Sequence, residues 1–341
     1  MNKTQYNLQF EKLSNALQLG DLVGPPEALS GGLLNKMFAV QTTQNKYAVK
    51  AINPQIMLRP EAMQNYINSE RIANITAKSI PAVPAKIFNG KSMQEIDGQF
   101  YLVFDWIDGK SLKQNEIEIE QCEKIGAILA NIHKADFSEL GLVDDYSSEE
   151  KLTDWNFYLQ KGDKGKAIWA GLLRENIDNL YDWNNKLIAS AKLLATNTVI
   201  SHGDLDPKNI MWNNDNPFII DWEAAGFINP MHDLLETAIY WSKDEAENID
   251  KAKFMAFINA YKNKYDTLKA DWKAVLKKGF SGKLGWLEYS LKRSLCIECT
   301  DEAEQQMGTE HVIGTINALR QYSNTITVIE EWLIYNINYA N

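Results

Sequence analysis

His202-Gly203-Asp204-Leu205-Asp206-Pro207-Lys208-Asn209-Ile210, followed after a short interval by Ile219-Ile220-Asp221-Trp222-Glu223, is the stretch that decides how this 341-residue chain is read. Its carboxylates stand between apolar, strand-like runs, where they are costly unless paired, metal-bound or catalytic. Phosphoryl transfer accounts for such a set. It needs one carboxylate to take or orient the proton of an acceptor hydroxyl, and oxygen ligands to hold magnesium against nucleotide phosphates. Asp204 followed five positions later by Asn209, then Asp221 beyond a short hairpin, matches the H-x-D-x-x-x-x-N and Asp-Phe-Gly arrangement of kinases. On that match Asp204 is the candidate catalytic base, and Asn209 and Asp221 are the candidate metal ligands.

Working upstream, the chain to about residue 103 reads as strand-rich. After a short helical start over Phe10 to Leu17, strand patterns appear at Met37 to Thr42, Lys46 to Ile52 and Tyr101 to Phe104. Thr43-Gln44-Asn45 supplies the turn of a hairpin between the first two. Pro60 is placed to open a helix running to Ala73, on which Met63, Tyr66, Ile67 and Glu70 share one face. Beyond Gly109 the periodicity becomes helical, over Ile117 to His133, Ala167 to Leu194, Met231 to Ser242 and Ala252 to Tyr265. The polar segment quoted above interrupts it, between short strand patterns at Val199-Ile200 and Phe218-Ile219-Ile220.

The His-Gly-Asp opening and the Ile-Asp-Trp-Glu segment resemble the aminoglycoside phosphotransferase and choline kinase family, the small-molecule branch of the protein-kinase-like enzymes. The resemblance implies an α+β, bilobal protein-kinase-like fold. It has a small β-rich nucleotide-binding lobe over 1–103, a hinge over 104–109, and a large helical lobe over 110–341 that carries the catalytic loop and acceptor site. It implies ATP and Mg2+ as cofactors. Ser30-Gly31-Gly32 then lies over the phosphates, where glycines let backbone N–H groups approach anionic oxygens. Lys50 pairs with the α- and β-phosphates, and Glu70 is the carboxylate that fixes Lys50, with Glu61 the competitor that the helix face disfavours. At the hinge, the carbonyl of Asp105 and the N–H of Ile107 meet the adenine edge. His202 braces the loop, and Asp233 anchors it from below. Lys208 either balances charge near the transferred phosphoryl group or is a solvated surface lysine. Asp221-Trp222-Glu223 lacks the glycine of Asp-Phe-Gly, which points to a constitutive enzyme more than to a switched signalling kinase.

Composition limits the partners. With 35 Lys and Arg against 45 Asp and Glu, the formal charge is −10. Such a chain is a poor nucleic-acid binder, since that affinity comes from neutralising phosphates. It suits a cationic small molecule, or simply a soluble surface. No apolar run approaches a membrane span, the start lacks a secretory core, and the three cysteines form no disulfide framework, so a cytoplasmic location is expected.

The acceptor expected first is a hydroxyl of an aminoglycoside or similar aminosugar, then choline or ethanolamine, then homoserine or thiamine. A nucleotide-binding pseudokinase is the alternative of another class, and intact Lys50, Asp204, Asn209 and Asp221 argue against it. Trp155, Trp183, Trp241 and Trp286, with acidic neighbours such as Asp154, Asp182 and Glu236, are candidates to hold a cation, although tryptophans in a helical lobe are usually core. Cys296-Ile297-Glu298-Cys299 lacks the further ligands zinc requires, and Gly162-Asp163-Lys164-Gly165-Lys166 lacks the spacing and hydroxyl of a Walker A loop.

Overall fold

A computed structural model describes residues 5–30, 34–144, 150–265 and 268–338; Gly31 and Gly32, assigned above to the phosphate loop, lie outside them. The chain gathers into two compact units. One comprises residues 1–118, 131–142 and 200–226, the other 119–130, 143–199 and 227–341.

The first unit opens with α1 (Phe10–Leu17) and is built on a five-stranded antiparallel sheet. Its strands are β1 (Glu27–Leu29), β2 (Lys36–Gln41), β3 (Lys46–Ala51), β4 (Gln94–Ile96) and β5 (Gln99–Asp105), in the order β1-β2-β3-β5-β4. Helix α2 (Ala62–Thr76) lies between β3 and β4 in sequence. Strand alternation sorts the side chains into two apolar layers. Tyr47, Val49, Ala51, Tyr101 and Val103 pack with Leu13 of α1 on one face, while Ile52, Leu102 and Phe104 pack with Ala62 and Tyr66 of α2 on the other. Lys50 belongs by parity to the α2 face, where the register sets it opposite Met37 of β2 and Leu102 of β5. The strand-rich first part was legible from that same alternation; β1 and β4, three residues each, are too short to show it.

The polar insert groups with the sheet. It runs from β6 (Val199–Ser201) through a 3₁₀ turn at Pro207–Asn209, the hairpin β7 (Ile210–Asn213) and β8 (Asn216–Ile219), and a second 3₁₀ turn at Trp222–Ala224, to β9 (Gly226–Ile228). Ile219 exchanges two backbone hydrogen bonds with the segment before Ala85, donating to the Pro81 carbonyl and accepting from Val83 N–H, both at 2.8 Å. Helix α2 packs on the 222–224 turn. Lys50, Asp204, Asn209, Asp221 and Glu223 therefore share one compact body.

The second unit is helical. It takes the first twelve residues of α3 (Ile119–Lys134) and contains α4 (Trp155–Lys164), α5 (Ala170–Glu175), α6 (Ile177–Leu194) and α7 (Pro230–Ser242). It continues with α8 (Lys251–Lys262), α9 (Trp272–Lys278), α10 (Phe280–Ser294) and α11 (Glu302–Asn338), the last two packed along each other. The helical run expected from Ala167 to Leu194 is split at Asn176. Its side-chain Nδ2 donates to the Leu172 carbonyl at 2.8 Å, the local competition for backbone acceptors that makes asparagine a helix-ending residue. Among the described residues no helix is long and apolar enough to cross a membrane.

Candidate active site

Two loops and one strand bring the charged groups together. Lys50, buried on β3, places Nζ 2.5 Å from Asp221 Oδ1 and 3.5 Å from Glu223 Oε2. Burial opposes the lysine charge, but Asp221 and then Glu223 outweigh it and hold its pKa above the ordinary value. Burial likewise works against the Asp221 carboxylate, yet Lys50 prevails and keeps it below the usual range. For Glu223 burial wins, because Lys50 offsets it only in part and Asp221 adds repulsion. One lysine between two carboxylates settles on the nearer.

Backbone strain aims that carboxylate. Asp221 sits in the left-handed region at φ 62, ψ 62, directly after β8 and before the turn at Trp222. Aspartate tolerates this conformation better than bulkier residues. Trp222 is buried, donates Nε1–H to the Ile219 carbonyl at 3.1 Å, and meets the His202 ring edge-on at 4.6 Å between centroids. His202 bridges the two loops: Nε2 donates to the Ile220 carbonyl at 3.0 Å, and Nδ1 accepts the Asp204 N–H at 3.2 Å. With both ring nitrogens committed to backbone, the imidazole acts as a brace.

Between His202 and Asp204 only glycine fits. Gly203 has φ +75, and a Cβ there would stand 2.5 Å from the Ala224 carbonyl oxygen. The chain then delivers Asp204, whose carbonyl and Oδ2 both accept from Asn209 Nδ2, at 2.8 and 2.9 Å. Asp206 caps the 3₁₀ turn by accepting the Lys208 N–H at 3.0 Å, which turns the Lys208 side chain back toward both aspartates. Its Nζ lies 3.3 Å from Asp204 Oδ2 and 3.7 Å from Asp206 Oδ2. Burial, offset in part by Lys208 and reinforced by Asp206, lifts the Asp204 carboxyl to about 6. A carboxylate of that pKa is a competent base near neutrality.

Lys50, Lys208, Asn209, Asp221 and Glu223 are charged or polar walls of a cavity of about 520 Å³, and Asp204 adjoins it through its bonds to Asn209 and its ion pair with Lys208. The cavity's apolar walls are Ala48, Val83, Phe104, Met211 and Ile220, and the hinge residues Asp105 and Ile107 line it as well. Ser30, the described part of the glycine loop, borders the same cavity. An apolar slot opening onto two lysines and several oxygen ligands suits a nucleotide, base first and phosphates at the charged end.

Glu70 does not stand where the sequence reading set it. Its Oε2 accepts the Ala85 N–H at 2.6 Å, and the ion pairs of Lys50 go to Asp221 and Glu223. Burial, partly offset by that N–H, raises the Glu70 carboxyl to about 7. The physical reason lies one helical turn earlier: Tyr66, on the same face of α2, fills the space toward the site and meets Asn35. Glu223, Asn35 and Tyr66 are the members that the sequence reading missed. The one signal available was a second acid two places after Asp221, in an otherwise apolar segment.

The tryptophans divide clearly. Trp155, Trp183 and Trp241 are buried core of the second unit, and only Trp286 is half-buried, beside Tyr289 and His311. Their acidic neighbours have structural work: Asp154 caps α4, Asp182 pairs with Lys186, and Glu236 meets His232 and Lys283.

Comparison with known proteins places this site in context. Residues 26–270 match the model of the phosphotransferase enzyme family. Among solved structures, spectinomycin phosphotransferase in complex with ADP and spectinomycin aligns at TM-score 0.67 and 12% identity, over 93% of this chain and 99% of that one. Choline kinase from Cryptosporidium parvum Iowa II aligns at TM-score 0.60 and 12% identity, over 90% of each chain. Plasmodium vivax ethanolamine kinase aligns at TM-score 0.57 and 17% identity, over 88% of this chain and 83% of that one. At such identities the likeness is one of fold, and that fold is protein-kinase-like.

Proposed function

Because this chain belongs to the phosphotransferase enzyme family, we propose that it transfers the terminal phosphoryl group of ATP to a hydroxyl of a small, cationic acceptor. The observation that carries the reading is the Asp204 carboxylate. It is raised to about 6 and accepts a hydrogen bond from Asn209, which lines the cavity together with Lys50, Lys208 and Asp221.

The roles follow from position. Asp105 and Ile107 meet the adenine edge through their backbone, in a slot walled by Ala48, Phe104 and Ile220. Lys50 carries the positive charge that the α- and β-phosphates require, and Ser30 borders the same cavity. Asp204 orients the acceptor hydroxyl and takes its proton as the oxygen attacks the γ-phosphorus and the bond to the β-phosphate oxygen breaks. Lys208, 3.3 Å from Asp204, offsets negative charge on the group in transfer. The oxygen donors suit Mg2+: Asn209 commits its Nδ2 to Asp204, which leaves Oδ1 as a ligand atom, and Lys50 engages only one oxygen of Asp221. Asn209 and Asp221, joined by Glu223, would hold the ion, which when bound neutralises charge developing on the β- and γ-phosphates. Glu70 supports the site through Ala85 and the field it shares with Lys50.

An aminoglycoside or related aminosugar is the first acceptor to test, followed by choline and ethanolamine, then homoserine and thiamine. The net charge of −10 favours the cations, and a cytoplasmic setting suits all of them. The test is Mg2+-dependent ATP turnover across that panel, with Asp204→Asn as the control. Turnover with one acceptor that collapses in the variant supports the assignment. Tight nucleotide binding with silence across the panel, or a variant as active as the parent, sinks it.

A further inference from the structure

Asn35 has no role in the chemistry described so far, yet it is buried to 3% exposure at the mouth of β2 and lines the cavity. Its amide cannot be turned round. Oδ1 accepts the backbone N–H of Asn53 at 2.8 Å, and a backbone N–H can only donate. Nδ2 must therefore face the other way, where it donates to Glu223 Oε2 at 2.8 Å and to the Tyr66 hydroxyl at 3.1 Å. Asn53 completes the tie, donating its own Nδ2 to the Leu34 carbonyl at 3.1 Å. The segment entering β2 is thus pinned to the chain just after β3 and to the acidic turn through one side chain.

The bond has an electrostatic consequence. Glu223 Oε2 stands 3.5 Å from Lys50, whereas Asp221 stands at 2.5 Å. Asp221 has His202 and Lys208 on its side besides Lys50, whereas Glu223 is held from the far side by hydrogen bonds from Asn35 and Tyr66. Asn35 and Lys50 both meet Oε2 of Glu223, a residue that lines the cavity.

We infer that Asn35 is a positioning residue: it holds Glu223 off Lys50 and keeps that carboxylate at the cavity wall, where a Mg2+-nucleotide would meet it. This rests on the phosphotransferase reading and adds to it. Without the Asn35 donor, Glu223 closes on Lys50 and competes with Asp221 for the one lysine charge.

The test is a double-mutant cycle on the full chain, with Asn35→Asp, Glu223→Gln and both together. Each is read by ADP affinity over a Mg2+ titration and by melting midpoint. Asn35→Asp keeps the acceptor for Asn53 but sets oxygen against oxygen at Glu223; the double variant restores a donor to that contact with the original charge. The expectation is that Asn35→Asp weakens Mg2+-ADP binding about tenfold alone and about twofold or less in the Glu223→Gln background, the coupling typical of residues in contact. Equal costs in both backgrounds overturn the inference. So does coupling in the melting midpoint with none in Mg2+-ADP affinity, the mark of a merely structural bond. Should Asn35→Asp not fold, Asn35→Ala in the same cycle decides by the same criteria. Wild-type protein that binds no ADP at any Mg2+ concentration overturns the phosphotransferase reading as well. Wild type that binds it, with the Asn35 variants matching, overturns only the role of Asn35.

Discussion

Lys50 and Asp221, 171 positions apart in sequence, meet at 2.5 Å, and around that pair the rest of the site is arranged. Glu223 flanks it, Asn35 restrains Glu223, and Asp204 with Asn209 stands on the adjoining loop. A lysine delivered by a sheet thus balances acids delivered by a turn.

Replacing that lysine shows what it holds. In Lys50→Met the two carboxylates lose their shared counter-ion, and both are only partly screened by solvent. We expect stability to fall by roughly 1–3 kcal/mol in denaturant titration, less than a fully buried pair would cost. Metal-free ADP binding should weaken by at least about tenfold, measured by calorimetry, because phosphates then face carboxylates alone.

The pH dependence follows from Asp204. In the proposed role of base it works only when ionised, and burial lifts its carboxyl to about 6. Below that value kcat/KM should fall about tenfold per pH unit, and above it should level off. Asp204→Asn should lower kcat by about 10²–10⁴ while nucleotide affinity stays within a few-fold, read by steady-state kinetics beside equilibrium binding.

Glu70 makes a prediction about stability. Its folded carboxyl is raised from 4.5 to about 7, so the folded state binds this proton more tightly than the unfolded chain does. Its contribution to stability is therefore greatest below about pH 4.5, declines as pH rises toward 7, and is lost above. Glu70→Gln, which keeps an oxygen for Ala85 N–H, should remove that slope and stabilise the protein at pH 8 by about 2–3 kcal/mol. Melting curves across pH 5 to 8 check it.

Gly203→Ala tests the loop. The added Cβ meets the Ala224 carbonyl at 2.5 Å with φ already at +75, so backbone has to move. We expect a loss of roughly 2–3 kcal/mol, combining the left-handed cost with a clash that no side-chain rotation relieves. Turnover should fall further than melting alone explains, because Asp204 is the next residue.

The site was legible in proportion to how local its logic is. Asp204, Asn209 and Asp221 were readable because acids in an apolar neighbourhood, at a spacing one loop and one hairpin require, have few explanations. Lys50 was readable by its place in a strand. Glu70 was read from the resemblance and from its helix face. The face put it on the buried side correctly, but could not show that its carboxylate turns to the Ala85 N–H while Tyr66, one turn nearer, meets Asn35. Asn35 and Glu223 are 188 positions apart, and no periodicity links them.

Read alone, the sequence carries the strand-rich first part, the helical remainder, the cluster of acids around Asp204 and Asp221, and the family to which the chain belongs. These depend on period, spacing and residue chemistry over a few dozen positions. Only the tertiary structure decides which of several acids Lys50 serves. That choice is made by an amide just before β2 whose orientation is fixed by a backbone N–H, a constraint that exists only once the sheet, α2 and the acidic turn have come together.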